Sequence, residues 1–196
     1  MSLQQQIPFP WQKPLWDKLT SQFNENKLAH AYLIFGSQGI GKELFAYEFS
    51  RYVMCSTPSN LAACGTCENC KYGFDAETGS GHPDIVVLAI EEGSRDIKID
   101  QVRSLSDFLV KTSHAGRAKI AIIIDAHRMN SATANALLKT LEEPTTNTYL
   151  LLSTHLPGSL PATIRSRCHK ISMATPDQQT AVDWLAQHVA EQENTS

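Results

Sequence analysis

Two kinds of apolar stretch alternate along the chain. Short runs are apolar at nearly every position: Ala31-Tyr32-Leu33-Ile34-Phe35, Asp84 to Ile90, Lys119 to Asp125 and Thr148 to Thr154, with a shorter one inside Ile164 to Ser172. Too short for helices and bounded by turn formers, they predict strands buried on both faces. Between them, apolar residues recur at helical spacing: Leu15, Trp16, Leu19 and Phe23 behind Pro14, then Phe45, Phe49, Tyr52 and Val53. Val102, Leu105 and Leu109 follow a capping Asp100. Ala134, Leu137, Leu138 and Leu141 follow a capping Ser131 and stop at Pro144. Thr175-Pro176 opens a last helix carrying Ala181, Leu185 and Val189, outside the alternation and with little chain left to pack against. Strand–helix alternation with doubly apolar strands predicts an α/β fold, a five-stranded parallel sheet with helices on both faces. The stripe Leu137, Leu138, Leu141 reads as core.

Composition narrows the classes. At 196 residues the chain is one domain with a remainder, and 42% hydrophobic against 19% charged residues is globular. Seventeen basic against twenty acidic residues leave −3, which excludes a bulk-electrostatic nucleic-acid binder. No apolar run approaches the length of a bilayer span, and Met1 to Gln6 lack the basic and apolar blocks of a secretory signal. A reducing cytoplasm is the default compartment.

Gly36-Ser37-Gln38-Gly39-Ile40-Gly41-Lys42-Glu43 follows the phosphate-loop pattern except at its last position. Gly36, Gly39 and Gly41 let backbone N–H groups curl around phosphate oxygens, and Lys42 would reach the outer phosphates. The hydroxyl that should ligate Mg²⁺ is replaced by Glu43, whose carboxylate is longer and adds negative charge beside the phosphates. Ile120 to Asp125 matches a strand ending in a Mg²⁺-coordinating aspartate, but Ala126 stands where a glutamate would polarise the attacking water. His127 can take a proton in principle, on proximity in sequence alone. Two independent chemical defects predict a degenerate loop that does not turn over ATP or Mg²⁺ of its own; an active ATPase with Glu43 as an unusual Mg²⁺ ligand is the alternative.

Cys55, Cys64, Cys67 and Cys70 supply four soft ligands within sixteen residues, inside a segment from about 55 to 81 that reads as an insertion. Thiolates at x2 spacing suit a zinc knuckle, with Gly65 easing the turn, and a filled set of four makes the site structural. An iron–sulfur cluster or disulfides are the rivals. His82 is a substitute ligand in principle, although its place before Pro83 favours a loop or capping role. A zinc finger reading DNA is a further alternative, weakened because only Arg51 and Lys71 are basic there, with Glu68 between. Cys168 reads as a small buried residue.

Several segments together resemble the clamp-loader branch of the AAA+ proteins. They are His30 to Gly36, the four-cysteine insertion, Gly81-His82-Pro83-Asp84, Ala134 to Pro144, and Ile164-Arg165-Ser166-Arg167-Cys168. Coverage is about residues 10 to 190, and the Leu-Leu-Lys-Thr-Leu-Glu-Glu-Pro helix with the Ser-Arg-Cys triplet is a specific combination. Glu43 and Ala126 align it with a non-hydrolysing subunit of the bacterial DNA polymerase III loader and away from the ATP-hydrolysing gamma/tau subunit; Lys42 is retained against that trend. The resemblance implies a RecA-like P-loop domain over residues 1–175 and the start of a helical lid over 176–196, without the carboxy-terminal collar that assembles the ring. It implies that Arg167 acts as an arginine finger in a neighbour's ATP site. Arg165 reads as a supporting or surface charge, and Thr154 holds the position of a polar sensor. Implied partners are gamma/tau and delta subunits in a hetero-oligomeric ring, with sliding clamp and primer-template DNA met through the complex and no membrane. The fragment alone is expected to be monomeric.

Overall fold

A computed structural model describes residues 8–72 and 81–193. Its elements are α1 (Lys13–Asn24), β1 (Ala31–Phe35), α2 (Lys42–Met54), α3 (Glu68–Lys71), β2 (Ile85–Leu88), α4 (Ile99–Val110), β3 (Lys119–Ile123), α5 (Ser131–Glu142), β4 (Thr148–Thr154), α6 (Ala162–Arg165), β5 (His169–Ser172) and α7 (Gln178–Glu193). The five strands form one sheet in the order β2-β3-β4-β1-β5, and every pairing is parallel.

Strand side chains alternate between two cores. Tyr32, Ile34, Ile120, Ile122 and Leu151 face Trp16, Leu19, Phe45, Phe49 and Tyr52 of α1 and α2. Ala31, Leu33, Ala121, Ile123, Leu150 and Leu152 face Val102, Leu105, Leu109, Leu137 and Leu141 of α4 and α5, with Ile164 of α6. Both faces are thus covered, as doubly apolar strands require. The crossover from β1 to β2 runs leftward in the sheet order while those into β3, β4 and β5 run rightward. A right-handed connection therefore puts α2 on one face and α4 to α6 on the other. Where the direction changes, the loop after β1 opens at the carboxyl ends of the strands.

Local signals differ from expectation at the element ends. Asn130, not Ser131, caps α5: its side chain accepts from the Thr133 N–H at 2.9 Å. Asp100 lies inside the first turn of α4, whose Lys98 N–H is held by Gln101 Oε1 at 2.8 Å. Asp177 caps α7 by accepting from the Thr180 N–H at 2.9 Å, while Thr175 pairs its hydroxyl with Ser37 at 2.8 Å. The fifth apolar stretch divides into α6 and β5. Nor does α7 lack company: the Trp184 ring lies 5.1 Å from Phe9 and 5.8 Å from Trp11. Leu137 and Leu141 are buried and Leu138 is half-buried, so the stripe is core. No helix among the described residues is long and apolar enough to cross a membrane.

Candidate functional site

Gly36 to Gly41 joins β1 to α2 at the carboxyl edge of the sheet. Gly41 sits at the N-cap of α2 with φ +83, and a Cβ there would come within 2.3 Å of the Phe9 ring. A glycine is required on both counts. The segment before α1 closes over this loop, which the sequence pattern did not foretell. Gln12, fully buried, donates from Nε2 to the carbonyls of Ile40 (3.1 Å) and Gly41 (3.0 Å), and Trp11 Nε1 donates to Ile40 at 3.0 Å. A polar Gln among apolar neighbours was its only signal.

Lys42 is buried and donates from Nζ to the Ser37 carbonyl at 2.7 Å, so its ammonium spans the loop. Burial lowers its pKa, against the pull of Glu43 and Asp125. Glu43 heads α2 facing Asp125; burial, then the Asp125 charge, push its carboxyl up, while Lys42 and His155 draw it down. Asp125 follows β3 in the left-handed conformation, φ +49, and Ala126 behind it is fully buried. The carboxylate therefore turns toward the phosphate-loop end, with nothing at Ala126 to activate water. Thr154 ends β4; its hydroxyl accepts from the Leu156 N–H at 3.0 Å and meets His127 Nδ1 at 3.1 Å. It satisfies local groups, as its position allowed.

Arg167 lies elsewhere. It precedes β5, whose first residue pairs with Tyr32 of β1, whereas Gly36 follows β1 at its other end. A strand of this length separates the two by roughly 15 Å at about 3.3 Å per residue. Arg167 Nη2 pairs with Glu142 and Nη1 donates to the Thr163 carbonyl at 2.9 Å, with a third of the side chain exposed. Arg165, half-buried, lines the same shallow hollow with His30, His169 and Lys170, and its Nε has no partner among the described residues.

The four cysteines do converge. Their sulfurs all lie within 4.8 Å of one another, and Cys55 Sγ is 3.9 Å from Cys67 Sγ. A tetrahedral Zn²⁺ with bonds of about 2.3 Å asks for sulfurs about 3.8 Å apart. Cys64 and Cys67 donate their N–H groups to Cys55 Sγ (3.2 Å) and Cys64 Sγ (3.3 Å), with Gly65 at φ +72 between them. The Thr57 side chain, then the N–H groups of Thr66 and Cys67, pull the Cys64 thiol down to about 5. The donor set fits a zinc-class metal. His82 is not in it: its Nδ1 accepts from the Asp84 N–H at 3.1 Å and its ring meets Tyr72 edge-on. Residues 73–80 of the expected insertion lie outside the described residues. Cys168 is buried, and burial pushes its thiol up to about 12.

Known proteins bear on this geometry. A family model described as DNA polymerase III, delta subunit, matches residues 11–177. The DNA polymerase III subunit delta' of Pseudomonas aeruginosa is 41% identical over 91% of this chain and 52% of its own length. That of Escherichia coli is 38% identical over 92% of this chain and 53% of its own. The DNA polymerase III subunit tau/gamma of Haemophilus influenzae is 36% identical over 90% of this chain and 24% of its own. The chain spans about half the length of the delta' relatives it matches. A solved gamma subunit-related protein of Thermotoga maritima superposes with a TM-score of 0.60 at 22% identity, covering 83% of this chain and 47% of that one, and bears out the AAA+ fold. With its sheet order, its phosphate loop after β1 and these relatives, the chain belongs to the DNA polymerase III delta subunit family.

Proposed function

We propose that this chain is the delta'-type, non-hydrolysing subunit of a DNA polymerase III clamp loader, cytoplasmic, which helps load the sliding clamp onto primed DNA. Its own phosphate loop is not an enzyme site; Arg167 completes the ATP site of a neighbouring subunit, with gamma/tau and delta as the companions in the ring. The observation that carries this reading is the placement of Arg167 at the opposite end of the strands from Gly36 to Lys42. From there it cannot serve its own loop, yet it stands half-exposed at a surface a neighbour can reach. A guanidinium fork there can bridge the terminal phosphate oxygens of an ATP held by the next subunit and stabilise charge as the phosphoryl group leaves. Glu43 and Ala126 support the division of labour: one crowds the metal position with negative charge, and the other offers no base.

Purified chain incubated with Mg·ATP is expected to release phosphate no faster than buffer. Glu43→Thr should improve nucleotide binding without conferring turnover, because Ala126 still cannot polarise water. Turnover by the wild-type chain that Lys42→Ala abolishes would instead favour an active gamma/tau-type enzyme.

The same reading gives the cysteine cluster a structural Zn²⁺ held by Cys55, Cys64, Cys67 and Cys70. With every tetrahedral position filled by sulfur, the ion holds the turn after α2 and takes no part in chemistry. Dialysed chain should retain one zinc per molecule by elemental analysis, and Cys64→Ser should release it to a mild chelator. Zinc retained unchanged by that variant would place the metal elsewhere.

A further inference from the structure

At the phosphate-loop end, the ends of β3 and β4 bring together three metal-ligating side chains that the loop does not account for. Asp125 Oδ1 is 3.4 Å from His155 Nδ1 and 3.8 Å from His127 Nδ1, and one donor atom from each of the three lies within 4.8 Å of the others. We infer that Asp125, His127 and His155 form a second metal site, binding a divalent transition-metal ion of the zinc class in the absence of nucleotide.

Bond lengths of about 2.0–2.1 Å in a tetrahedral site put neighbouring donors about 3.3–3.4 Å apart. The two Asp125–imidazole distances already lie within about 0.5 Å of that, and the donor atoms of the two rings, within 4.8 Å of each other, close the rest by turning. The two rings meet edge-on with centroids 4.4 Å apart, so both can turn a nitrogen toward the Asp125 oxygen. A coordinating His127 Nδ1 gives up its contact with the Thr154 hydroxyl, which keeps the Leu156 N–H as a donor.

Charge points the same way. The Asp125 charge pushes the Glu43 carboxyl up, and Lys42, hydrogen-bonded to the Ser37 carbonyl, offsets that only in part. A cation at Asp125 relieves that repulsion. Two imidazoles and one carboxylate select zinc, cobalt or nickel over magnesium or calcium, which prefer all-oxygen shells. The site thus differs in chemistry from a magnesium–nucleotide site and does not depend on what Arg167 does. An ion there would tie the turn after β3 to the turn after β4, fixing both walls of the phosphate-loop crevice.

The test is a Zn²⁺ titration, followed calorimetrically, of chain whose cysteine cluster already holds one equivalent. A second, weaker equivalent is expected. His155→Ala and His127→Gln should each weaken it at least about tenfold and leave the first unchanged. Co²⁺ in wild-type chain gives a check that needs no substitution: the second equivalent should add visible d–d absorption without further thiolate-to-metal charge transfer. A single equivalent in the wild type, a second one indifferent to both substitutions, or added thiolate charge transfer would each overturn the inference.

Discussion

Replacing Asp84 by alanine is expected to cost about 3–5 kcal/mol of folding stability, the range for breaking a buried ion pair by removing one member. Asp84 is fully buried and accepts from the His114 N–H (2.7 Å), the Ala115 N–H (2.6 Å) and the Ser113 hydroxyl (2.9 Å). Its remaining partner is the Lys119 ammonium at 3.4 Å, itself buried at the start of β3. Alanine would leave the buried ammonium without its carboxylate and the His114 and Ala115 N–H groups without their acceptor, while the Ser113 hydroxyl keeps the Ala118 carbonyl at 3.1 Å. The Phe108 ring 3.8 Å from Lys119 Nζ cannot replace a carboxylate. Burial alone would push the Asp84 carboxyl up, but these N–H groups, the hydroxyl and Lys119 together hold it below its ordinary value. The sign follows: a depressed folded-state value contributes stability that is present above the unfolded value of about 3.9 and is lost as pH falls through the folded one. Urea unfolding should therefore show a wild-type advantage over Asp84→Ala that is full near neutrality and shrinks in acid below about pH 4. An advantage independent of pH would mean that the carboxylate is not the stabilising form.

That network shows where sequence reading stops. Asp84 was legible as the first residue of an apolar stretch, and its partners at Ser113 to Ala115 were not, because they sit in an irregular loop with no periodicity to mark them. The strands were legible because burial on both faces leaves runs such as Leu150 to Leu152 with no polar interruption. The caps of α5 and α7 were misplaced by one or two residues because Asn130 and Ser131, and Thr175 and Asp177, stand close together at those starts, and only geometry selects which oxygen reaches the free N–H. The glycines, Lys42 and the four cysteines were legible because their spacing matches a phosphate-loop pattern and a four-thiolate knuckle. His155 was invisible: it lies 28 residues beyond His127, and only the pairing of β3 with β4 makes them neighbours. The Phe9 to Gln12 segment was hidden for a similar reason, since its contacts with Ile40 and Gly41 span nearly thirty residues.

The other large effect concerns Arg167. Its pairing with Glu142 joins two half-exposed side chains, an arrangement worth about 0–1 kcal/mol. Such a contact orients the guanidinium without committing it, and terminal phosphate oxygens, carrying more charge and matching the fork with two hydrogen bonds, would displace Glu142. Lysine is a poor substitute, because its compact ammonium lacks the rigid planar fork that matches two oxygens at once. Arginine fingers are worth about 10³–10⁵ in rate where they have been removed from other phosphoryl-transfer sites. The decisive measurement is DNA-stimulated ATP hydrolysis by a reconstituted clamp loader carrying either Arg167→Ala or Lys42→Ala in this subunit. Arg167→Ala should lower the rate at the neighbouring site about 10³-fold, with clamp loading falling alongside, while Lys42→Ala leaves hydrolysis unchanged. Hydrolysis and loading both unaffected by Arg167→Ala, or a loss that follows Lys42→Ala instead, would contradict a site completed in trans.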